Sequence, residues 1–329
     1  MSRLAKACLA YALCVIAGLT LTAWAAQARS GDAADGPAAA AVTAHRVAAK
    51  RAAGSRWRTA YDFLCLGVNR TPHPDETPLE PRKIFDNLAI LGDRGTAIYA
   101  LQTSAGVLLI DSGPAAKLHT QTLPSLRKLG IDPAAVKYIV ITHGHGDHFG
   151  GSSYFQEHYG TRIVATSEDW SLMEHPPADM PRELTVGAPK RDLVVHDGDV
   201  IKPGDTTVET FAIPGHTAGA LGLLFLVREG GKSWMSGLFG GLIIADAVTP
   251  TEQLHRYVQS IAHFAAIAKR ERVAVELENH IMFDNTYGKL QALSMPGPAA
   301  ANPFVVGTAG YQDFLKVLSE CAQATLAAR

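Results

Sequence analysis

Apolar positions along the chain follow two rhythms. Between residues 87 and 113 they come in short runs, at 87–92, 96–103 and 107–111. The breaks are Asp93-Arg94-Gly95 and Ser104-Ala105-Gly106. Short runs between turn formers predict strands. Residues 136–142 are a continuous run rich in Val and Ile, which predicts a strand buried on both faces. Further strands are predicted at 162–165, 193–196, 207–213, 221–227 and 273–277. A spacing of three and four predicts helices at 115–129 (stopped by Gly130), 151–159, 251–270 and from 311 to the end. In the third of these, Leu254, Val258, Ile261 and Ala265 share one face. Residues 175–189 carry four prolines and no period, so they predict a surface loop. Strands alternate with helices, yet several strand pairs are joined by tight turns. That mixture predicts an α/β protein with mixed sheets.

The N-terminus has neither rhythm. Arg3 and Lys6 precede an apolar run at 7–21, too short to span a bilayer comfortably, and Ala26-Gln27-Ala28 has the form of a cleavage site. Residues 1–28 therefore predict a signal peptide and a periplasmic or secreted protein. Residues 29–56 are rich in Ala, Gly and Asp, and predict a disordered Ala-rich spacer, with enough Ala for a frayed helix. The folded domain is expected over 57–329.

Composition narrows the function. The chain is 47% hydrophobic and 19% charged, so its 329 residues can bury a large core. A net charge of -1, without a basic stripe, offers nothing to nucleic acid and disfavours a nuclease. Cleavage would remove Cys8 and Cys14 and leave Cys65 and Cys321. Export permits a disulfide between these two, and a free buried thiol in the C-terminal helix is equally open.

The densest chemistry is Thr142-His143-Gly144-His145-Gly146-Asp147-His148, directly after the buried strand. Imidazole and carboxylate suit Zn²⁺ or a similar first-row ion, and burying so many ionisable groups without an ion is costly. His143 and His145 alternate on an extended segment and can face one ion. Asp147 and His148 follow after the chain has turned and can serve a second. His45, His73, His119, His158, His175, His196, His255 and His263 are scattered, and read as solvated or locally bonded residues.

The segment His143 to His148 resembles the H-x-H-x-D-H motif of the metallo-β-lactamase superfamily. Two more stretches fit: the apolar strand ending Asp111-Ser112-Gly113, and Pro214-Gly215-His216-Thr217. The resemblance covers residue 87 to the C-terminus. It implies a four-layer αββα sandwich and two zinc ions held by His143, His145, Asp147, His148, His216 and His280. Asp111 would support the ligand loop from behind. Asp147 would also be catalytic, orienting a metal-activated hydroxide. Hydrolases such as glyoxalase II and the lactonases place a metal-bridging Asp between the last two histidines. The matching stretch here, 233–241, has no carboxylate, and Asp246 lies beyond it. The remaining ligand set looks like that of the third subclass of true metallo-β-lactamases, and Asn302-Pro303-Phe304 before a Cys-bearing helix is similar too.

The resemblance thus implies an exported β-lactamase, an antibiotic-resistance enzyme opening a cyclic amide. A hydrolase of another ester, lactone or thioester is the alternative. A di-iron reductase would need a Glu in the motif and an added flavin domain. A small-molecule substrate, no nucleic acid, no membrane after signal cleavage and a monomer are expected. Residues 175–189 and 236–241 are expected to wall the pocket.

Overall fold

The strand that reads as continuously apolar is buried from both sides because two layers claim its alternating residues. The computed structural model describes residues 36–68, 75–242, 249–295 and 301–329. The signal-peptide segment, His73 and Asp246 lie outside these. Strands β1 (Arg82–Phe85), β2 (Leu88–Gly92), β3 (Ala97–Thr103), β4 (Gly106–Ile110), β5 (Val136–Val140), β6 (Arg162–Ala165) and β7 (Leu193–Val194) form one sheet in sequential order. Its first four strands pair antiparallel through tight turns, and β4 to β7 pair parallel through crossovers. Strands β8 (Val200–Ile201), β9 (Val208–Ala212), β10 (Leu221–Glu229), β11 (Lys232–Phe239) and β12 (Val275–Leu277) form the second, in the order β12-β11-β10-β9-β8. Gly230 and Gly231, both at positive φ, close the β10–β11 hairpin.

Three cores separate four layers. Leu108 and Ile110 of β4 pack between the sheets against residues such as Leu223 and Phe225, while Val107 and Leu109 point to the opposite face. That face is covered by α3 (Leu123–Lys128), the short α4 (Gly146–Phe149), α5 (Ser152–Tyr159) and α6 (Ser167–Glu174). The second sheet is covered by α1 (Pro37–Ala53), α2 (Arg58–Leu66), α7 (Thr251–Arg270) and α9 (Gly307–Ala327), with α8 (Thr286–Ala292) beyond β12. This is the expected αββα sandwich. Among the described residues no helix is long and apolar enough to cross a membrane.

Three expectations are corrected. The spacer at 29–56 is not disordered over its described part: α1 packs along α9, burying Ala49 and Ala53, and His45 Nδ1 meets Glu320 Oε2 at 2.7 Å. Alanine is the best helix former, and its small side chain lets helices approach closely. The same small size hides the apolar stripe from a pattern search. The helix expected at 115–129 is broken into a 3₁₀ turn (Ala115–Lys117), a π turn (Leu118–Thr122) and α3. Pro124 cannot donate its backbone bond and crowds the preceding turn. Residues 236–241 are buried throughout, so they cannot line an open pocket. Of the two open readings for the cysteines, the structure carries the disulfide, joining α2 to α9.

Candidate metal centre

The two sheets meet at one edge. There Leu221 N–H donates to Thr142 O (2.8 Å), and Ala97 N–H to Asn279 O (2.8 Å). The site lies on the loops leaving these strand ends. His143 and His145 follow β5, Asp147 and His148 sit on the single turn of α4, His216 follows β9, and His280 follows β12. The structure brings all six predicted residues together as two overlapping half-sites.

In the first, His216 Nε2 lies 3.1 Å from both His143 Nε2 and His145 Nδ1. In the second, His148 Nε2 lies 3.1 Å from His280 Nε2 and 3.3 Å from Asp147 Oδ2. His143 is shared: ligand atoms of His143, His145 and His216 lie within 4.8 Å of one another, as do those of His143, His148 and His280. His143 and His148 are fully buried, and the Asp147 side chain is 24% exposed.

Hydrogen bonds behind the rings fix which nitrogen is free. The Thr142 hydroxyl donates to Asp111 Oδ2 (2.8 Å), so toward His143 Nδ1 (3.3 Å) and the Asn279 amide (2.8 Å) it can only accept. His143 therefore carries its proton on Nδ1 and presents the Nε2 lone pair to the cluster. His280 Nδ1–H donates to Gly95 O at 2.6 Å, so its Nε2 is likewise a lone pair. His148 Nδ1–H donates to Asp111 Oδ2 at 2.7 Å. Asp111 also accepts from Thr142 N–H (2.8 Å) and is fully buried behind the ligand loop, where it holds a positive φ of 61°. A non-glycine residue there costs energy, which the surrounding bonds must offset.

The electrostatics follow. Burial and the neighbouring rings hold His143 well below its ordinary pKa, and burial takes His145 down to about 4. Burial also opposes charge on His148, but the carboxylates of Asp147 and Asp111 outweigh it and draw its pKa up to about 10. Burial works against ionised Asp147, and His148 and His280 overcome it, holding the carboxyl below the usual range. Without an ion, a proton on His148 Nε2 sits where a cation would.

The donor set fits a metal. Ring nitrogens converge at 3.1 Å, and Asp147 Oδ1 is buried with no hydrogen-bond partner. Imidazole and carboxylate suit Zn²⁺ or a similar ion. Among the described residues no carboxylate enters from the end of β11. A Cβ on Gly240 would come within 2.6 Å of Leu221 O, and one on Gly241 within 3.0 Å of His216 Cβ.

Sequence reasoning missed one buried residue beside the centre. Asp169, on α6, accepts from Gly144 N–H (2.8 Å), the Thr217 hydroxyl (2.9 Å) and Gly219 N–H (3.1 Å). Burial raises its carboxyl to about 6, with these bonds opposing. A signal was present: Thr166-x-x-Asp169 has a helix-capping pattern, and the Thr166 hydroxyl does accept from Asp169 N–H. Several other histidines meet local partners, as expected: His158 a backbone carbonyl, His196 Asp199 and His263 Asp197.

Residues 91–227 match the family model of the metallo-beta-lactamase superfamily. The chain is 32% identical over 199 residues to the beta-lactamase-like protein 2 homolog of Caenorhabditis elegans, spanning 57% of this chain and 61% of that protein. It is 30% identical over 105 residues to a hydroxyacylglutathione hydrolase of Rhodopseudomonas palustris, spanning 32% and 35%. The matches thus cover less than two thirds of these relatives' lengths. Among solved structures it resembles BJP-1, a subclass B3 metallo-beta-lactamase of Bradyrhizobium japonicum. The TM-score is 0.63 and the identity 28%, over 72% of this chain and 90% of that one. FEZ-1 from Legionella gormanii matches with a TM-score of 0.64 and 25% identity, over 74% and 94%. The motif, the match of residues 91–227 and the four-layer fold are together those seen in the metallo-β-lactamase superfamily.

Proposed function

We propose that this hydrolase is an exported, zinc-dependent β-lactamase that opens the β-lactam amide. The observation that carries the reading is the ligand set: three histidines in one half-site, Asp147, His148 and His280 in the other, and β11 ending in Gly240-Gly241. Among the described residues no bridging carboxylate, the mark of the thioester and lactone hydrolases, comes from the end of β11. The B3 neighbours support the same choice.

His143, His145 and His216 would hold one ion, and Asp147, His148 and His280 the second. Bound there, the ions supply a low-pKa water as nucleophile and Lewis acids for the carbonyl oxygen and the leaving nitrogen. The chain's own part is placement. Asp147 stays ionised and keeps Oδ1 free to orient the attacking oxygen. Asp111 and Gly95 O aim the His148 and His280 rings. A small-molecule substrate, a monomeric enzyme and a periplasmic or secreted location belong to this reading.

The curated hydroxyacylglutathione hydrolases favour a second reading, a thioester hydrolase. Purified protein assayed with a chromogenic cephalosporin and with a thioester, each with and without chelator, separates the two. Chelator-sensitive cephalosporin turnover is the expected result. Thioester turnover alone would replace the first reading with the second.

A further inference from the structure

We propose that Asp169 is a positioning residue that clasps the two ligand loops of the three-histidine half-site to each other. The proposal rests on the metal-site reading above. Two chain segments must meet to build that half-site: the loop after β5, carrying His143 and His145, and the loop after β9, carrying His216. They are some seventy residues apart in sequence. The Asp169 side chain spans them. Its Oδ2 takes Gly144 N–H, from between His143 and His145, and the hydroxyl of Thr217, next to His216. Its Oδ1 takes Gly219 N–H, on the far side of the same loop.

The surroundings are cut to this contact. Asp169 is 1% exposed, and no Lys, Arg or His forms an ion pair with it among the described residues. Three donors from the two loops therefore satisfy it. A Cβ on Gly219 would fall 2.0 Å from Thr166 Oγ1 and 2.8 Å from Asp169 Cγ, and one on Gly144 would lie 3.0 Å from Asp169 O. Glycine at both places lets backbone N–H reach the carboxylate. Thr166 adds a second tie on the same side, its hydroxyl donating to Gly219 O at 2.8 Å. Asp169 makes no hydrogen bond to Asp147, His148 or His280. His148 and His280 are braced separately, by Asp111 and by Gly95 O. Removing Asp169 should therefore loosen one half-site and spare the other. Groups that orient metal ligands in this way are typically worth about 10–100-fold in metal affinity.

The test uses Asp169→Asn, which keeps shape but turns one acceptor into a donor facing donors, with Ile163→Val as a core control. Metal binding is titrated against a chromophoric chelator. The expected result is that Asp169→Asn weakens one of two ions about 10–100-fold and leaves the other within about twofold. Ile163→Val should change neither. Equal weakening of both ions, or of none, overturns the proposal. Fewer than two ions on the wild type would instead count against the two-ion reading. Ring nitrogen spectra of the metal-free protein keep the two apart. Asp169→Asn should shift the His143, His145 and His216 signals and leave those of His148 and His280 in place. Unmoved rings in the first half-site would overturn the clasp whatever the metal content. If Asp169→Asn fails to fold, Thr217→Val removes one donor from the same carboxylate and should shift the same three rings.

Discussion

The two half-sites share His143 but differ in charge. In the first, His143 and His145 are held neutral by burial, and His216 Nε2 lies 3.1 Å from a ring nitrogen of each. In the second, Asp147 is ionised, and His148 is drawn toward its charged form by two carboxylates. The first is ready for a cation but has nothing to exchange for it. The second already holds a stand-in, a proton. The same ring type thus arrives in opposite states because carboxylates reach one end of the cluster only. Metal binding requires neutral imidazole, so the two ends should answer pH differently.

The largest effect expected is on turnover. Asp147→Asn removes the only carboxylate among the ligands and should lower chelator-sensitive hydrolysis by at least about 100-fold, more than loss of a supporting group. Circular dichroism should show the fold retained. Near-wild-type turnover in a metal-loaded variant would remove Asp147 from the catalytic role.

Next comes the pH dependence of loading. At neutral pH the second ion must displace the His148 proton, so its affinity should rise about tenfold per pH unit between pH 7 and 9. The first ion should be nearly flat there, because His145 is neutral down to about 4. Calorimetry in buffers of different ionisation heat counts the released protons. One for the second ion and none for the first is the expected pattern, and equal release would erase the distinction.

A smaller effect concerns the metal-free protein. The folded pKa of His148, about 10, lies above its unfolded value near 6.5. Its contribution to stability is therefore complete below about pH 6.5 and is lost as pH rises through about 10. Urea midpoints of the metal-free protein should fall across that interval, and those of the loaded protein should fall less. Asp111→Asn should flatten the slope, because one of the two carboxylates raising His148 is gone. It should also lower stability at pH 6 by about 1–3 kcal/mol, since a buried donor loses its acceptor.

Much of this molecule was legible in advance. The paired strands and the α7 span follow from period and turn residues; four of the six predicted site residues share one dense motif, while His216 and His280 rest on the family resemblance. Such signals are local, lying within a few residues of each other. What escaped depends on contacts made only in the folded chain. Helix α1 has almost no large apolar residues, and its helicity shows once α9 lies against it. Pro124 breaks a helix that apolar spacing alone would continue. Asp169 sits in a segment whose capping pattern announces a helix start, but nothing in it reveals that the carboxylate reaches two distant loops. Residues 236–241 are apolar enough for a pocket wall, and only the layer packed over them shows that they are interior.

The Cys65–Cys321 bond has a consequence for the connectivity of the whole enzyme. All six predicted ligand residues, and Asp169, lie between these two cysteines in sequence, so the disulfide turns the chain around the site into a covalent ring. A single cut in the 175–189 loop would open that ring without releasing either piece. Nicked protein should run as one species without reductant and as two with it. Before reduction, the segment bearing His143 to His148 would stay tethered to the one bearing His216 and His280.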